Sequence, residues 1–147
     1  MPLESRIALI LGLLALGVAA GLIWKSQSGR ARKVSAGEQI NLAEIGAIKN
    51  GQPVTKFGQK VTFLQFSSEF CSACRQTAKL YSELEQVHPE ILHIEVDITN
   101  RTDLANKFNI LQTPTTLVLD SRGRVTSRIG GAVKQQTIQD EIGSFEI

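Results

Sequence analysis

Cysteine is almost missing: the 147 residues hold only Cys71 and Cys74, three positions apart. A scaffold stapled by several disulfides is excluded by that count, which leaves a redox pair, half of a metal site or two idle thiols. No further cysteine exists to complete a zinc site within the chain, so a zinc reading needs a second chain. Length is scarce too. It suffices for one domain and little more, since domains cluster around ~100–150 residues. The body of the chain also lacks an excess of basic charge. Residues 1–33 carry five bases against one acid, whereas residues 34–147 carry eleven bases against thirteen acids. The overall net charge of +2 is therefore local, and a nucleic-acid partner, which wants a basic face on the folded domain, is not expected. Internal repeats are absent.

From Ile7 to Trp24 there is no charged residue. As a helix these 18 residues extend roughly 27 Å, close to the ~30 Å hydrocarbon thickness of a bilayer. A core helix of a soluble domain should show a polar stripe, and a cleaved signal has an apolar region of about 7–15 residues, so neither describes the segment well. Gly12, Gly17 and Gly21 are tolerated in membrane spans, and Trp24-Lys25 reads as an interfacial anchor. Residues 7–24 are thus expected to be a transmembrane helix after a short tail, 1–6. Cleavage after the small residues Val18-Ala19-Ala20 is the alternative. One base, Arg6, precedes the span, and four, Lys25, Arg30, Arg32 and Lys33, follow it, which favours a cytoplasmic carboxy-terminal side. An ordinary signal-anchor orientation would export the domain instead.

Residues 25–39 mix serine, glycine, glutamine and base with almost nothing apolar, and are expected to be a basic polar tether. The folded domain is expected over 40–147. Residues 42–48 suit either a short helix or a strand, and 51–60 read as loop. Val61–Phe66 is nearly continuously apolar, as in a strand covered on both faces. After Cys71 the period changes: Cys74, Ala78, Tyr81, Leu84 and Val87 recur every three or four residues and predict a helix that ends at His88-Pro89. Ile91–Ile98 alternates and predicts a second strand parallel to the first, with the helix as crossover. A short helix over 102–108, a hairpin of strands 115–120 and 125–129, and a closing helix over 134–145 follow. The order βαβ, helix, ββ, helix is an α/β arrangement, a mixed sheet flanked by helices.

Cys71-Ser72-Ala73-Cys74 follows a strand directly and opens a helix within a βαβ unit, a context that turns a weak spacing into a strong redox signal. At the helix start, unpaired N–H groups and the positive end of the dipole stabilise thiolate over thiol at Cys71. Cys74, one turn inward, is expected to lie under it. Cys71 then attacks a partner disulfide and Cys74 resolves the mixed disulfide.

Phe66–Arg75 (FSSEFCSACR), Val96-Asp97, Leu104–Ile110 and Thr113-Pro114-Thr115 together resemble the thioredoxin family over residues 60–145. With the apolar run and basic tether, the resemblance extends to membrane-anchored thioredoxin-like proteins of actinobacteria. It implies a cis Pro114 packed beside the cysteine pair, with the Thr113 backbone and Phe70 available to substrate and Gly130 allowing a chain to approach closely. Three departures accompany it. Phe70 replaces the family's usual tryptophan, keeping an apolar lid. Ser72-Ala73 replaces the common Gly-Pro of reductants, so no reduction potential is inherited. Gln65 stands where many members bury a carboxylate under the second cysteine, and His93 where they place a lysine. An amide takes no proton, so His93, with an ordinary pKa of ~6.5, becomes a candidate for a proton relay with Gln65.

The expectation is a membrane-tethered thiol–disulfide oxidoreductase, anchored through residues 7–24, whose partners are protein thiols or disulfides. No cofactor is expected, and electrons come from an upstream dithiol or reductase. The rival is a redox-inert peptide-binding or metal-delivery module on the same fold.

Overall fold

The computed structural model describes residues 1–35 and 37–145. Its centre is β4 (Val61–Ser67), in which all seven residues are buried. That explains the unbroken apolar run: a strand in mid-sheet with both faces covered has no solvent side to decorate. β5 (Ile91–Asp97) pairs with it in parallel and β6 (Thr115–Asp120) antiparallel on its other edge. The crossover between β4 and β5 is α3 (Ser72–Val87). β7 (Val125–Gly130) returns antiparallel to β6. The five-stranded sheet runs β1-β7-β6-β4-β5, where β1 is Ala31–Lys33. One face packs around Leu64, Phe66, Ile94 and Leu117 beneath α2 (Leu42–Ile45) and α4 (Thr102–Lys107); the other around Phe63, Tyr81 and Ile129 beneath α3 and α5 (Gln135–Ser144). Stacked rings stiffen both layers: Phe66 on Phe108 at 5.3 Å and Phe63 on Tyr81 at 4.7 Å between centroids.

α1 covers Leu3–Gln27, takes in residues assigned from sequence to the tail and the tether, and buries none of its side chains. It is long and apolar enough to cross a membrane. The tether itself needs correction. Ala31–Lys33 is an edge strand paired antiparallel to β7, with Arg32 opposite Arg128. Ladder hydrogen bonds are made by the main chain and require no apolar side chain, so a charged tripeptide can close a sheet edge, and charge on an edge strand discourages further pairing. Lys33 reaches the buried Glu141 of α5 at 3.2 Å, and Ser127 donates to the same carboxylate at 2.7 Å. Between α1 and β1, Gly29 sits at φ 75°, donates its N–H to the Gly130 carbonyl, and leaves no room for a Cβ, which would lie 2.3 Å from the Ala132 carbonyl oxygen.

Two smaller differences concern periodicity. On α3 the buried face is Cys74, Thr77 and Tyr81, while Val87, in its last turn, is exposed. Residues 51–60 are not wholly loop: β2 (Ile48–Lys49) and β3 (Gln52–Pro53) form a small hairpin around Asn50-Gly51, both at positive φ as its turn demands. Helix α5 ends at Ser144; the last residues of the expected 40–147 domain, 146 and 147, lie outside the described ones.

Candidate active site

β4 ends at Ser67 and α3 begins at Ser72, so the link between them projects Cys71 from the end of the sheet. Cys71 is the N-cap of α3. Its backbone is extended, and its sulfur accepts the Cys74 N–H at 3.1 Å, the place a serine or aspartate oxygen takes in an ordinary cap. Cys71 Sγ and Cys74 Sγ are joined in a disulfide, with the Cα atoms 5.2 Å apart. The two sulfurs differ in access. Cys71 is partly exposed, whereas Cys74 is 2% exposed.

Beside Cys71 lies the loop entering β6. The Thr113–Pro114 peptide is cis, and the Thr113 carbonyl oxygen is 3.7 Å from Cys71 Sγ. Ser68 and Thr113 pair their hydroxyls at 3.0 Å, and Gly131 donates its N–H to the Pro114 carbonyl at 2.8 Å, so the loop is held from both sides. Gly130, at the end of β7, borders the same loop through Gln112. Phe70 is 91% exposed: it stands out from the surface next to Cys71 and covers nothing, which corrects its reading as a lid.

Under the pair, Gln65 is fully buried and satisfied on every side. Its amide nitrogen donates to the Cys74 carbonyl oxygen at 2.9 Å and to Ser67 Oγ at 3.0 Å, leaving its oxygen to face His93 Nε2 at 2.9 Å. With both amide hydrogens committed elsewhere, the imidazole must be the donor in that last bond, which fixes Nε2 as the protonated nitrogen. Gln65 thus reaches the main chain of Cys74. The sequence expectation of an ordinary imidazole fails at His93: burial, with the Lys49 ammonium nearby, pushes it down to about 4, although Glu85 opposes the shift. Lys49 donates to the His93 carbonyl at 2.7 Å and pairs with Glu85 at 2.8 Å, and Glu85 accepts the His93 N–H. At neutral pH His93 is an uncharged donor.

Glu95 was missed by sequence reasoning. It lies opposite Gln65 in the β4/β5 register, its carboxyl is raised by partial desolvation, and Ser67 is its hydrogen-bond partner. The signal was the in-register pairing of two parallel strands, which no single-strand pattern displays. Among the described residues no group of three or more His, Cys, Asp or Glu could hold a metal ion.

The thioredoxin family model matches residues 37–144. Thioredoxin H5 of Oryza sativa subsp. japonica is 29% identical over 72 residues, 49% of this chain and 53% of its own. Thioredoxin-1 of Caenorhabditis elegans is 27% identical over 88 residues, 60% of this chain and 76% of its own. This chain spans about half the length of several relatives it matches. In structure it is similar to Fasciola hepatica thioredoxin, with TM-score 0.51, 22% identity and coverage of 60% of this chain and 83% of that one. A poplar thioredoxin h matches with TM-score 0.50 and 26% identity over 58% and 76% of the two chains. These neighbours share the mixed sheet flanked by helices.

Proposed function

We propose that this chain, which belongs to the thioredoxin family, is a membrane-tethered thiol–disulfide oxidoreductase that exchanges disulfides with protein partners. The observation that carries the reading is the asymmetry of the cysteine pair at a helix start. One sulfur is accessible and accepts a helix N–H, and the other is sealed beneath it within bonding distance.

In the reduced form the Cys71 thiolate, stabilised by the Cys74 N–H and the α3 dipole, attacks one sulfur of a partner disulfide. A mixed disulfide forms and the other partner sulfur leaves as thiolate, to be protonated. Cys74 then loses its proton and attacks Cys71 Sγ, releasing the second partner sulfur. The partner gains two electrons and two protons, and the chain is left with the Cys71–Cys74 disulfide. An upstream dithiol or reductase must return the electrons. The Thr113 carbonyl beside Cys71, the buried Pro114 behind it, Phe70 and Gly130 are the groups proposed to receive a partner's backbone. Helix α1 is proposed to anchor the chain, with four bases after it against one before it favouring a cytoplasmic domain. The folded unit is proposed to begin at Ser28, earlier than the sequence suggested, because β1 belongs to the sheet.

Substitution separates the two thiols. Cys74→Ser is expected to accumulate mixed disulfides through Cys71, seen as reducible high-mass bands, and Cys71→Ser to trap nothing. Equal trapping by both would refute the assignment of roles. The absence of any reversible dithiol couple would favour an inert binding module.

A further inference from the structure

A cleft of about 320 Å³ opens where the end of α1 meets the sheet edge, walled by Trp24, Gln27, Arg30, Arg32, Leu111 and Arg128 among others. Arg30, in the link just before β1, and Arg32, on β1, both line the cleft, and Arg32 lies opposite Arg128 in the strand register. Three arginines therefore line one cleft, and two of them stand opposite each other in an antiparallel pair, where like charges destabilise. Lys33, which points the other way, has Glu141 as partner. Among the described residues no acid lines the cleft. Arg128 is held by the carbonyl oxygens of Asn109 and Phe108. The side chains of Arg30 and Arg32 make no hydrogen bond or ion pair among the described residues.

We propose that this cleft binds the phosphate of an anionic phospholipid in the leaflet that surrounds the carboxy-terminal end of α1, an inference that rests on the membrane-spanning reading above. Position argues for a lipid. Trp24 and Gln27 belong to the last turns of the apolar helix, so the cleft sits at the depth of the headgroups. Its rim is apolar as well as basic: Trp24 is 70% and Leu111 87% exposed, large hydrophobic surfaces that gain a neighbour only if they meet the glycerol and acyl region. Guanidinium forks match phosphate oxygens bidentately. Because only residues 28–30 separate α1 from β1, the domain cannot swing away from this level. The cleft shares Gln112, Thr115 and Gly130 with the surroundings of the Thr113–Pro114 loop, so a bound lipid draws the redox face toward the membrane surface and favours partner disulfides displayed there.

Trp24 is the only tryptophan, which makes it a built-in reporter. The full chain is placed in nanodiscs of phosphatidylcholine carrying a trace of headgroup-dansylated phosphatidylethanolamine, which is anionic, and energy transfer from Trp24 is measured. Unlabelled phosphatidylglycerol should displace the labelled lipid at least tenfold more effectively than further phosphatidylcholine. The Arg30→Gln/Arg32→Gln double variant should lose that preference, and Lys56→Gln/Arg122→Gln, with equal charge removed elsewhere, should keep it. Equal behaviour of the two double variants overturns the proposal. So does displacement by inorganic phosphate, which would make the cleft a free-anion site, or by an acidic peptide, which would make it a protein-docking surface. Alkaline carbonate extraction tells the two readings apart: a chain stripped from membranes ends the spanning reading and the lipid site with it, whereas an embedded chain without lipid preference ends the lipid site alone.

Discussion

His93 should make stability fall in mild acid. Its imidazole is pushed down to about 4 by burial and by Lys49, while an unfolded chain protonates it near 6.5. Between those values the unfolded state holds more protons than the folded one. Stability is therefore fully present above 6.5, declines as pH falls through the window, and the loss is complete below about 4. At ~1.36 kcal/mol per pH unit, the displacement corresponds to ~3 kcal/mol, a large part of the ~5–15 kcal/mol that holds a domain together. His93→Gln removes the titration and keeps an amide N–H to offer the Gln65 oxygen. It gives up the ring contact with Tyr81 at 5.1 Å, so its stability at pH 7.5 should be lower.

The assay is urea unfolding of residues 28–147 at intervals from pH 4.5 to 7.5, with the imidazole followed by NMR and assigned with the help of His88→Gln. The wild-type chain should lose ~2–3 kcal/mol more than His93→Gln on descending through the window. Glu95, whose carboxyl is raised, contributes with the opposite sign, since its stability is lost as pH rises. It is common to both proteins and cancels in the difference. Parallel profiles, or a His93 signal titrating near 6.5, would refute the reasoning.

Gln65→Glu should cost stability in a pH-dependent way. Even protonated it can serve only one of the acceptors that Gln65 now serves, Ser67 Oγ and the Cys74 carbonyl, a loss of ~1–3 kcal/mol, and burial raises its pKa so that the penalty grows as pH climbs from ~4.3 through the folded value. Urea midpoints at pH 5 and 8 check this, and identical differences at both would count against it. A fragment beginning at Val34 should be less stable than one beginning at Ser28, because it strips β1 from the sheet and leaves Glu141 without Lys33. With Lys33 62% exposed and screened by solvent, we expect ~1–3 kcal/mol, and equal unfolding midpoints would show that β1 adds nothing.

The strands of the sheet's centre were legible because their side chains carry the pattern. Val61–Phe66 is apolar throughout since both faces are covered, and Ile91–Ile98 alternates as a strand near the edge does. β1 was not legible. Its Ala-Arg-Lys is indistinguishable from linker until β7 and Glu141, about a hundred residues away, supply ladder and counter-ion. Thr77 carries no apolar signal on α3, yet it is buried and its hydroxyl accepts the Val133 N–H at 3.3 Å. The Cys-Ser-Ala-Cys pair announced its place through its position between strand and helix. The behaviour of His93 could not be announced so, since the groups that shift it come from two other elements, Lys49 of β2 and Glu85 of α3.

The exchange of a carboxylate for Gln65 has a consequence for how this site handles protons. A buried carboxylate under the second cysteine changes its hydrogen bonding when it titrates, and the helix start it touches responds. An amide does not. With Gln65 donating to the Cys74 carbonyl and to Ser67 and accepting from a neutral His93, the support of Cys74 is constant at every pH above the window in which His93 gains its proton. The nearest raised acid is Glu95, one strand over and open to solvent, joined to Gln65 through the Ser67 hydroxyl. Holding the helix and carrying charge are thereby assigned to different side chains. Above that window the pH dependence of disulfide exchange is expected to follow the thiols themselves, and substitution of Glu95 by Gln tests whether its raised carboxyl contributes.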